Sequence, residues 1–106
     1  MKGTKILLGN EAIAYGILAS GATVVASYPG TPASEVCDTA FAVSKANDLP
    51  VHVEWSINEK TAFEVAYANA IANRRSAVAM KQVGLNVASD PVMSAAYMGT
   101  TGVLLI

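Results

Sequence analysis

The chain has 106 residues, which is enough for one domain of ordinary size. Seven basic and eight acidic residues give a net charge of −1, which leaves no basic face for nucleic acid. Hydrophobic residues make up 53% of the chain and charged residues only 14%, and this balance excludes an intrinsically disordered segment. The single cysteine, Cys37, excludes a disulfide scaffold and any cysteine-rich metal site within these residues.

The N-terminal region does not have the pattern of a secretory leader. Its apolar run, Ile6–Leu8, is followed by Glu11, which comes too early for the hydrophobic region of a secretory leader. No later apolar stretch reaches the length of about 18 residues that spans a bilayer. The sequence therefore predicts a soluble cytoplasmic protein that binds no membrane.

The low charge has a second implication, because a small domain normally covers its large exposed surface with charged side chains. Nineteen residues are alanine, and the apolar segment Gly102–Ile106 is followed by no turn or polar tail. One interpretation is an ordinary alanine-rich fold. The interpretation that we prefer is that residues 1–106 are the N-terminal part of a domain in a longer subunit, with faces buried against other parts of that subunit.

Strand-like and helical segments alternate along the chain. The first helix is predicted over Glu11–Ser20, with Asn10 as its N-cap and Gly21 as its C′ residue. The next elements are a strand over 23–28, a helix over 35–47 capped by Ser34, a strand over 51–55, a helix from 56 to about 73, a strand over 76–80, a loop over 81–86, a helix capped at 90–91 that ends at 98, and a strand from about 102. This alternation predicts an α/β fold with a parallel sheet and helices on both faces.

Ligands of parallel sheets bind beyond the carboxyl ends of the strands, where the predicted loops 28–33, 55–59 and 81–89 lie. The glycine-rich fingerprints of dinucleotide and P-loop sites are absent. In the first loop, Pro29 and Pro32 fix the backbone around the Thr31 hydroxyl, which suits either a rigid turn or the positioning of a substrate. The third loop places Lys81 and Asn86 around a glycine and is either a plain turn or a border of the site.

The segment Trp55–Lys60 is more informative than the other two loops. Ser56 and Glu59 have the S-x-x-E spacing of a capping box at a helix start, and the spacing alone favours this role. A glutamate in the first helical turn at this edge would also face a cleft closed by a partner domain, where it can share a proton with a heterocyclic nitrogen. By contrast, His52 within a strand and Cys37 within a helix are interpreted as structural.

Four segments come in an order and at distances that resemble a known family: Gly9–Ala14, Ser27–Glu35 (SYPGTPASE), Val53–Lys60 (VEWSINEK) and Met80–Pro91 (MKQVGLNVASDP). They resemble the N-terminal pyrimidine-binding domain of thiamine-diphosphate-dependent 2-oxoacid:ferredoxin oxidoreductases, over nearly the whole chain. The resemblance implies the thiamine-diphosphate-binding fold, truncated at its C-terminus. It also implies oxidative decarboxylation of a 2-oxoacid to the acyl-coenzyme A, with electrons passed through iron–sulfur clusters to ferredoxin.

The resemblance also implies roles for two residues. Glu59 matches the glutamate that hydrogen-bonds N1′ of the cofactor's aminopyrimidine and promotes the tautomer that removes the thiazolium C2 proton; this reverses the preference for a purely capping role. Thr31 matches a loop hydroxyl that contacts the carboxylate or carbonyl of the substrate. The expected substrate is indolepyruvate or another arylpyruvate, with pyruvate and branched-chain 2-oxoacids as alternatives.

Several parts of such an enzyme lie outside this sequence. The segment that holds Mg²⁺ and the diphosphate is absent, and one cysteine cannot ligate a [4Fe–4S] cluster, which needs four thiolates. The resemblance implies a smaller (beta) subunit and an oligomer as partners, and it implies that this chain alone is inactive. The alternative of another class is a non-catalytic α/β interaction module whose alanine-rich helices pair with a partner.

Overall fold

The computed structural model describes residues 3–106, and the predicted alternation of helices and strands is confirmed there. The elements in chain order are α1 (Gly9–Ala19), β1 (Val24–Ser27), α2 (Ser34–Ala46), β2 (His52–Trp55), α3 (Glu59–Ile71), β3 (Arg75–Ala79), α4 (Gly84–Val87), α5 (Ser89–Met98) and β4 (Val103–Leu105). None of the described helices is both long and apolar enough to cross a membrane.

The four described strands form one parallel sheet with the order β2-β1-β3-β4. The chain therefore runs outwards from β1 in one direction to β2 and in the other to β3 and β4. The buried hydroxyl of Ser27, the last residue of β1, donates a hydrogen bond of 2.7 Å to the carbonyl of Ala79 at the end of β3. This bond joins the carboxyl ends of the two central strands, which is where an open α/β sheet has its switch point and binds ligands.

Helices cover both faces of the sheet, as predicted, because successive residues of a strand point to opposite faces. Val25 and Ala77 belong to a core that α1 and α2 cover, whereas the next residues, Ala26 and Val78, belong to a core that α3 and α5 cover. Much of both cores is alanine: Ala14, Ala22, Ala40 and Ala77 on one side, and Ala26, Ala62, Ala66, Ala88 and Ala95 on the other. Small side chains at these positions let the helices lie close to the sheet.

Helix α3 is held to the sheet by large side chains and by polar contacts. Phe63 is fully buried, and its ring lies 6.0 Å from that of Tyr67, whose hydroxyl donates a 2.7 Å hydrogen bond to the carbonyl of Gly99. Nearer the end of the helix, the Asn69 amide donates to the hydroxyl of Ser76 on β3 at 2.7 Å. These contacts fix the position of α3, and hence of Glu59 at its first turn.

The predicted start of α1 is wrong by two residues. The helix begins at Gly9 rather than Glu11, and the Glu11 carboxylate reaches back from the first turn to accept a 3.1 Å hydrogen bond from the backbone N–H of Leu8, the residue at the cap position. Asn10 is therefore not the N-cap, and its side-chain amide instead donates to the carbonyl of Pro32 at 2.8 Å. The predicted C′ residue Gly21 is confirmed by its positive φ of 87°.

Ser34 does not cap α2 as predicted. It is the first residue of the helix, and its hydroxyl accepts a 2.9 Å hydrogen bond from the backbone N–H of Gly30. The Ser34 side chain therefore closes the loop that precedes α2 rather than satisfying the N–H groups of the helix.

The segment 81–86 is not wholly a loop, because the short helix α4 begins at Gly84. Helix α5 then begins at Ser89 with Ala88 at its cap position, so that Asp90 and Pro91 lie inside its first turn rather than capping it. The sequence pattern missed α4 because a four-residue helix shows no periodicity.

Candidate functional site

The loops that follow β1 and β3 meet beyond the carboxyl edge of the sheet. A Cβ atom on Gly30 would lie 3.1 Å from the Cβ of Lys81, which is closer than most Cβ contacts in proteins. The approach places the loop that carries Thr31 beside the segment that leads from β3 into α4. The predicted loops 28–33 and 81–89 therefore share one edge, as the parallel sheet requires.

The start of α3 differs from the predicted capping box. Asn58 is the N-cap, and its side-chain oxygen accepts a 2.8 Å hydrogen bond from the backbone N–H of Thr61. Ser56 does not cap: its hydroxyl is buried and has no hydrogen-bond partner within residues 3–106, while its backbone N–H donates to the carbonyl of Ser27 at 2.7 Å. Asparagine reaches the first-turn N–H groups from the position next to the helix, which leaves Glu59 free of that role.

Glu59 is the first residue of α3 and is half-buried at the carboxyl edge of the sheet. No hydrogen bond or ion pair within residues 3–106 engages its carboxylate. The aliphatic part of Glu59 lies directly against the backbone of Gly84 in α4, where a Cβ atom would come within 2.6 Å of its Cγ.

Thr31 is exposed in the loop between β1 and α2, and its hydroxyl has no hydrogen-bond partner within residues 3–106. The residues around it are fixed, because Pro32 accepts the hydrogen bond from Asn10 and Gly30 donates to Ser34. The loop therefore presents a free hydroxyl from a backbone that is anchored on both sides. Thr31 and Glu59 follow the adjacent strands β1 and β2 at the same edge, although no direct contact joins them.

One cavity among the described residues contains neither of the predicted site residues. It has a volume of about 620 Å³ and lies on the α1 side of the sheet, where Asn10, Pro32, Lys81, Leu85 and Leu105 contribute to its wall. Glu59 lies at the start of α3, which covers the other face. We place the candidate site at the edge rather than in this cavity, because the unpaired carboxylate and the close loop contacts are there.

Two other titratable groups have structural roles. The Lys60 ammonium lies 3.0 Å from the Asp90 carboxylate and joins the first turns of α3 and α5, and this hydrogen-bonded partner raises the pKa of Lys60 above its usual value. Cys37 is fully buried in α2, and burial, with a smaller contribution from Asp38, raises the pKa of its thiol to about 11. A thiol with this pKa is unreactive at neutral pH.

No group of three or more His, Cys, Asp or Glu side chains in residues 3–106 is placed to hold a metal ion. An aminopyrimidine needs a different partner, namely a carboxylate that accepts a hydrogen bond from a ring nitrogen. Glu59 fits that requirement, since its carboxylate is half-buried and unpaired within residues 3–106, and since the absence of a side chain on Gly84 leaves room for the Glu59 side chain. The described residues thus fit the pyrimidine end of thiamine diphosphate.

Sequence reasoning missed two residues at this site. Asn58 is an asparagine directly before a helix, which is a strong capping signal that the S-x-x-E pattern obscured. Gly84 could not be found from the sequence, because a single glycine in a polar segment gives no indication of what its backbone contacts. Only the fold shows that Glu59 and Gly84, 25 positions apart, touch.

Together the fold and the site define a doubly wound α/β domain with a carboxylate, unpaired within residues 3–106, at the carboxyl edge of its sheet. The chain is similar to proteins named indolepyruvate oxidoreductase subunit IorA: 47% identical to that of Archaeoglobus fulgidus, 50% to that of Pyrococcus abyssi and 46% to that of Methanothermobacter marburgensis. The similarity covers 94–95% of this chain but only 15–17% of those relatives, so the chain spans about a sixth of their length. No protein-family model matches the chain.

Identity at this level over nearly the whole chain shows that it is homologous to the corresponding part of the indolepyruvate oxidoreductase IorA subunits. The resemblance inferred from the four sequence segments is therefore confirmed as far as similarity to indolepyruvate oxidoreductase subunits, and so is the α/β fold with its parallel sheet. The roles of Glu59 and Thr31 are not addressed by these similarities and stay predictions.

Proposed function

We propose that this chain is the pyrimidine-binding part of a thiamine-diphosphate-dependent 2-oxoacid:ferredoxin oxidoreductase that acts on indolepyruvate or a related arylpyruvate. The observation that carries the proposal is the Glu59 carboxylate, which is unpaired and half-buried at the carboxyl edge of a sheet in a homologue of indolepyruvate oxidoreductase subunits. A structural cap or a surface glutamate would not need to be held against the backbone of Gly84.

In this proposal Glu59 accepts a hydrogen bond from a ring nitrogen of the aminopyrimidine. The bound thiamine diphosphate supplies an acidic carbon and an electron sink for the decarboxylation of the 2-oxoacid. Glu59 acts by holding a proton on that ring nitrogen through the hydrogen bond. Thr31 presents its exposed hydroxyl from an anchored loop and hydrogen-bonds the carboxylate or carbonyl of the substrate.

The edge that carries Glu59 also carries large exposed apolar side chains. Trp55 is 41% exposed and Ile57 is 81% exposed in the segment before α3, and Val83, Leu85 and Val87 are exposed around α4. Several large exposed apolar side chains in segments that meet at one edge are typical of an interaction site. We infer that a second domain closes over this edge, excludes water from Glu59 and supplies the Mg²⁺ and diphosphate ligands that residues 3–106 do not provide.

The remaining components of the reaction are proposed on the same basis. The complete enzyme carries [4Fe–4S] clusters, transfers electrons to ferredoxin and the acyl group to coenzyme A, pairs with a smaller (beta) subunit in an oligomer and works in the cytoplasm. Residues 1–106 form the N-terminal part of its pyrimidine-binding domain and are inactive by themselves. Turnover of the complete enzyme on a panel of 2-oxoacids separates arylpyruvates from the alternatives, pyruvate and branched-chain 2-oxoacids.

The proposal is tested by Glu59→Gln in the complete enzyme, with deuterium exchange at the thiazolium C2 of bound thiamine diphosphate as the measurement. Glutamine keeps the size of the side chain but cannot stabilise a protonated ring nitrogen. We expect C2 exchange to slow by about 10²- to 10⁴-fold, the usual contribution of one acid–base group. Glu64→Gln, five positions later on an exposed part of α3, is the matched control and should leave the rate unchanged.

Exchange at the wild-type rate in the Glu59→Gln enzyme would refute the assigned role. Calorimetry adds a second criterion, because a complete protein that binds no thiamine diphosphate at all would favour the non-catalytic interaction module. Amide hydrogen exchange over α3 shows whether the substitution leaves the fold intact.

A further inference from the structure

The Glu59 side chain lies so close to the backbone of Gly84 that a side chain on residue 84 would overlap it. A Cβ atom built on Gly84 would lie 2.6 Å from Cγ, 2.9 Å from Oε1 and 3.0 Å from Cδ of Glu59. Ordinary separations between non-bonded carbon atoms are about 3.5–4.0 Å. The Glu59 side chain thus occupies the space in which any other residue at position 84 would place its first side-chain carbon.

The backbone at Gly84 does not itself require glycine. Positive φ angles among the described glycines occur at Gly3, Gly21 and Gly99, and Gly84 has an ordinary helical conformation as the first residue of α4. Alanine would form this helix better than glycine, because glycine loses more conformational freedom on folding. Glycine at this position is therefore explained by the space that Glu59 occupies and by no feature of its own backbone.

Helix α4 is also fixed, so it has little room to retreat from a larger residue. Ala88, directly after α4, belongs to the core that α3 covers, and its backbone N–H donates to the carbonyl of Gly84 at 3.0 Å. Gly84 and Ala88 are both buried. The adjustment to a side chain at position 84 would fall on the whole Glu59 side chain and on the first turn of α3, because Cγ, the atom nearest to the added carbon, is only two bonds from the α3 backbone.

We propose that Gly84 is a positioning residue for Glu59: the absence of a side chain at position 84 determines where the Glu59 carboxylate lies. The inference rests on the proposed function of Glu59 for its effect on the reaction, although the contact itself does not. Gly84→Ala must displace the carboxylate by about 1 Å to restore a normal separation. A displacement of that size at a reacting group lowers rates by about 10²-fold.

The contact is tested by amide hydrogen exchange in the complete enzyme without added cofactor, using Gly84→Ala, Glu59→Ala and the double variant. In the presence of Glu59, Gly84→Ala should speed exchange over α4 and the first turn of α3 by about tenfold or more. In the Glu59→Ala background the clash is gone, so Gly84→Ala should leave exchange unchanged or slower. Gly16→Ala in α1, where a Cβ would meet nothing within 4 Å, is the control and should speed exchange in neither background.

The positioning role is tested by thiazolium C2 exchange in the same variants. Gly84→Ala should slow C2 exchange by about 10²-fold when Glu59 is present and should cause no further loss when it is absent. Equal effects of Gly84→Ala on amide exchange in both backgrounds would overturn the inference about Gly84 and leave the role of Glu59 intact. Normal C2 exchange in Glu59→Gln would instead overturn the proposed function and leave the contact intact.

Discussion

Phe63 is the side chain on which the position of α3 depends most, and its truncation gives the largest effect that the structure predicts. It is fully buried between α3 and the sheet, one turn after Glu59, and it stacks on Tyr67. Replacing a buried phenylalanine by alanine removes about 3–5 kcal/mol of stability, from lost burial and from the cavity that remains. This range already includes the lost contact between the Phe63 and Tyr67 rings, because the burial of Phe63 and its ring contact are not independent contributions.

The measurement is amide hydrogen exchange over α3 in the complete enzyme, which reports the free energy of local opening even when other domains are present. A loss of about 4 kcal/mol corresponds to exchange that is about 10³-fold faster, at about 1.4 kcal/mol for each factor of ten. Phe41→Ala is the matched control, since Phe41 is 48% exposed on α2, where the Lys45 ammonium lies 5.2 Å from the centre of its ring. That change should cost about 1 kcal/mol or less. Less than a tenfold effect for Phe63→Ala, or an equal effect for Phe41→Ala, would refute the packing argument.

Two further predictions follow from the helix start and from the buried thiol. Asn58→Ala should destabilise α3 by about 1 kcal/mol, since it removes the acceptor for the Thr61 N–H. Ser56→Ala is the control and should cost nothing, because it removes a hydroxyl that has no partner within residues 3–106. Equal losses of α3 stability in the two variants, measured by amide exchange, would contradict the cap assignment. The pKa of Cys37 is raised to about 11 in the fold against 9.0 for an ordinary thiol, so the unfolded chain loses this proton first. The free energy of unfolding should therefore fall as the pH rises from 9 to 11, and urea titrations of Cys37→Ala should lack the part of this fall that Cys37 causes. An unchanged dependence of the unfolding free energy on pH in Cys37→Ala would contradict the prediction.

The sequence predicted the architecture well because the fold depends on alternation, which a chain of 106 residues shows clearly. Apolar strands and helices of crossover length permit few arrangements other than a parallel sheet with helices on both faces. The strand order was not predicted. It depends on which strands pair, and β1 between β2 and β3 is a tertiary result that no local pattern encodes.

The helix starts were predicted less well, because several residues compete to satisfy the same N–H groups. Asn10 and Ser34 have the right chemistry for capping, but each has a better partner in the loop between β1 and α2. At α3, Asn58 takes the role that the S-x-x-E spacing had assigned to Ser56 and Glu59. Local pattern identifies suitable donors and acceptors, whereas tertiary contacts decide which of them are used.

Glu59 itself was singled out from the sequence, first by its position at a helix start and then by the resemblance of the surrounding segments. The structure adds that its carboxylate is unpaired within residues 3–106 and lies against Gly84. The second observation depends on the packing of α4 against α3. Such a contact between distant segments was beyond what spacing could show.

The alanine-rich cores determine how this domain responds to random mutation. A buried alanine has only one side-chain carbon, so removing side-chain volume costs little stability there. Such positions include Ala14, Ala40, Ala62 and Ala66, all of which are fully buried. The genetic code offers alanine codons single-base changes only to valine, threonine, serine, proline, glycine, aspartate or glutamate. Each of these adds bulk, buries a polar group or disturbs the helix. Among coding variants in a population, substitutions should therefore be rare at the smallest buried side chains of this domain as well as at the largest.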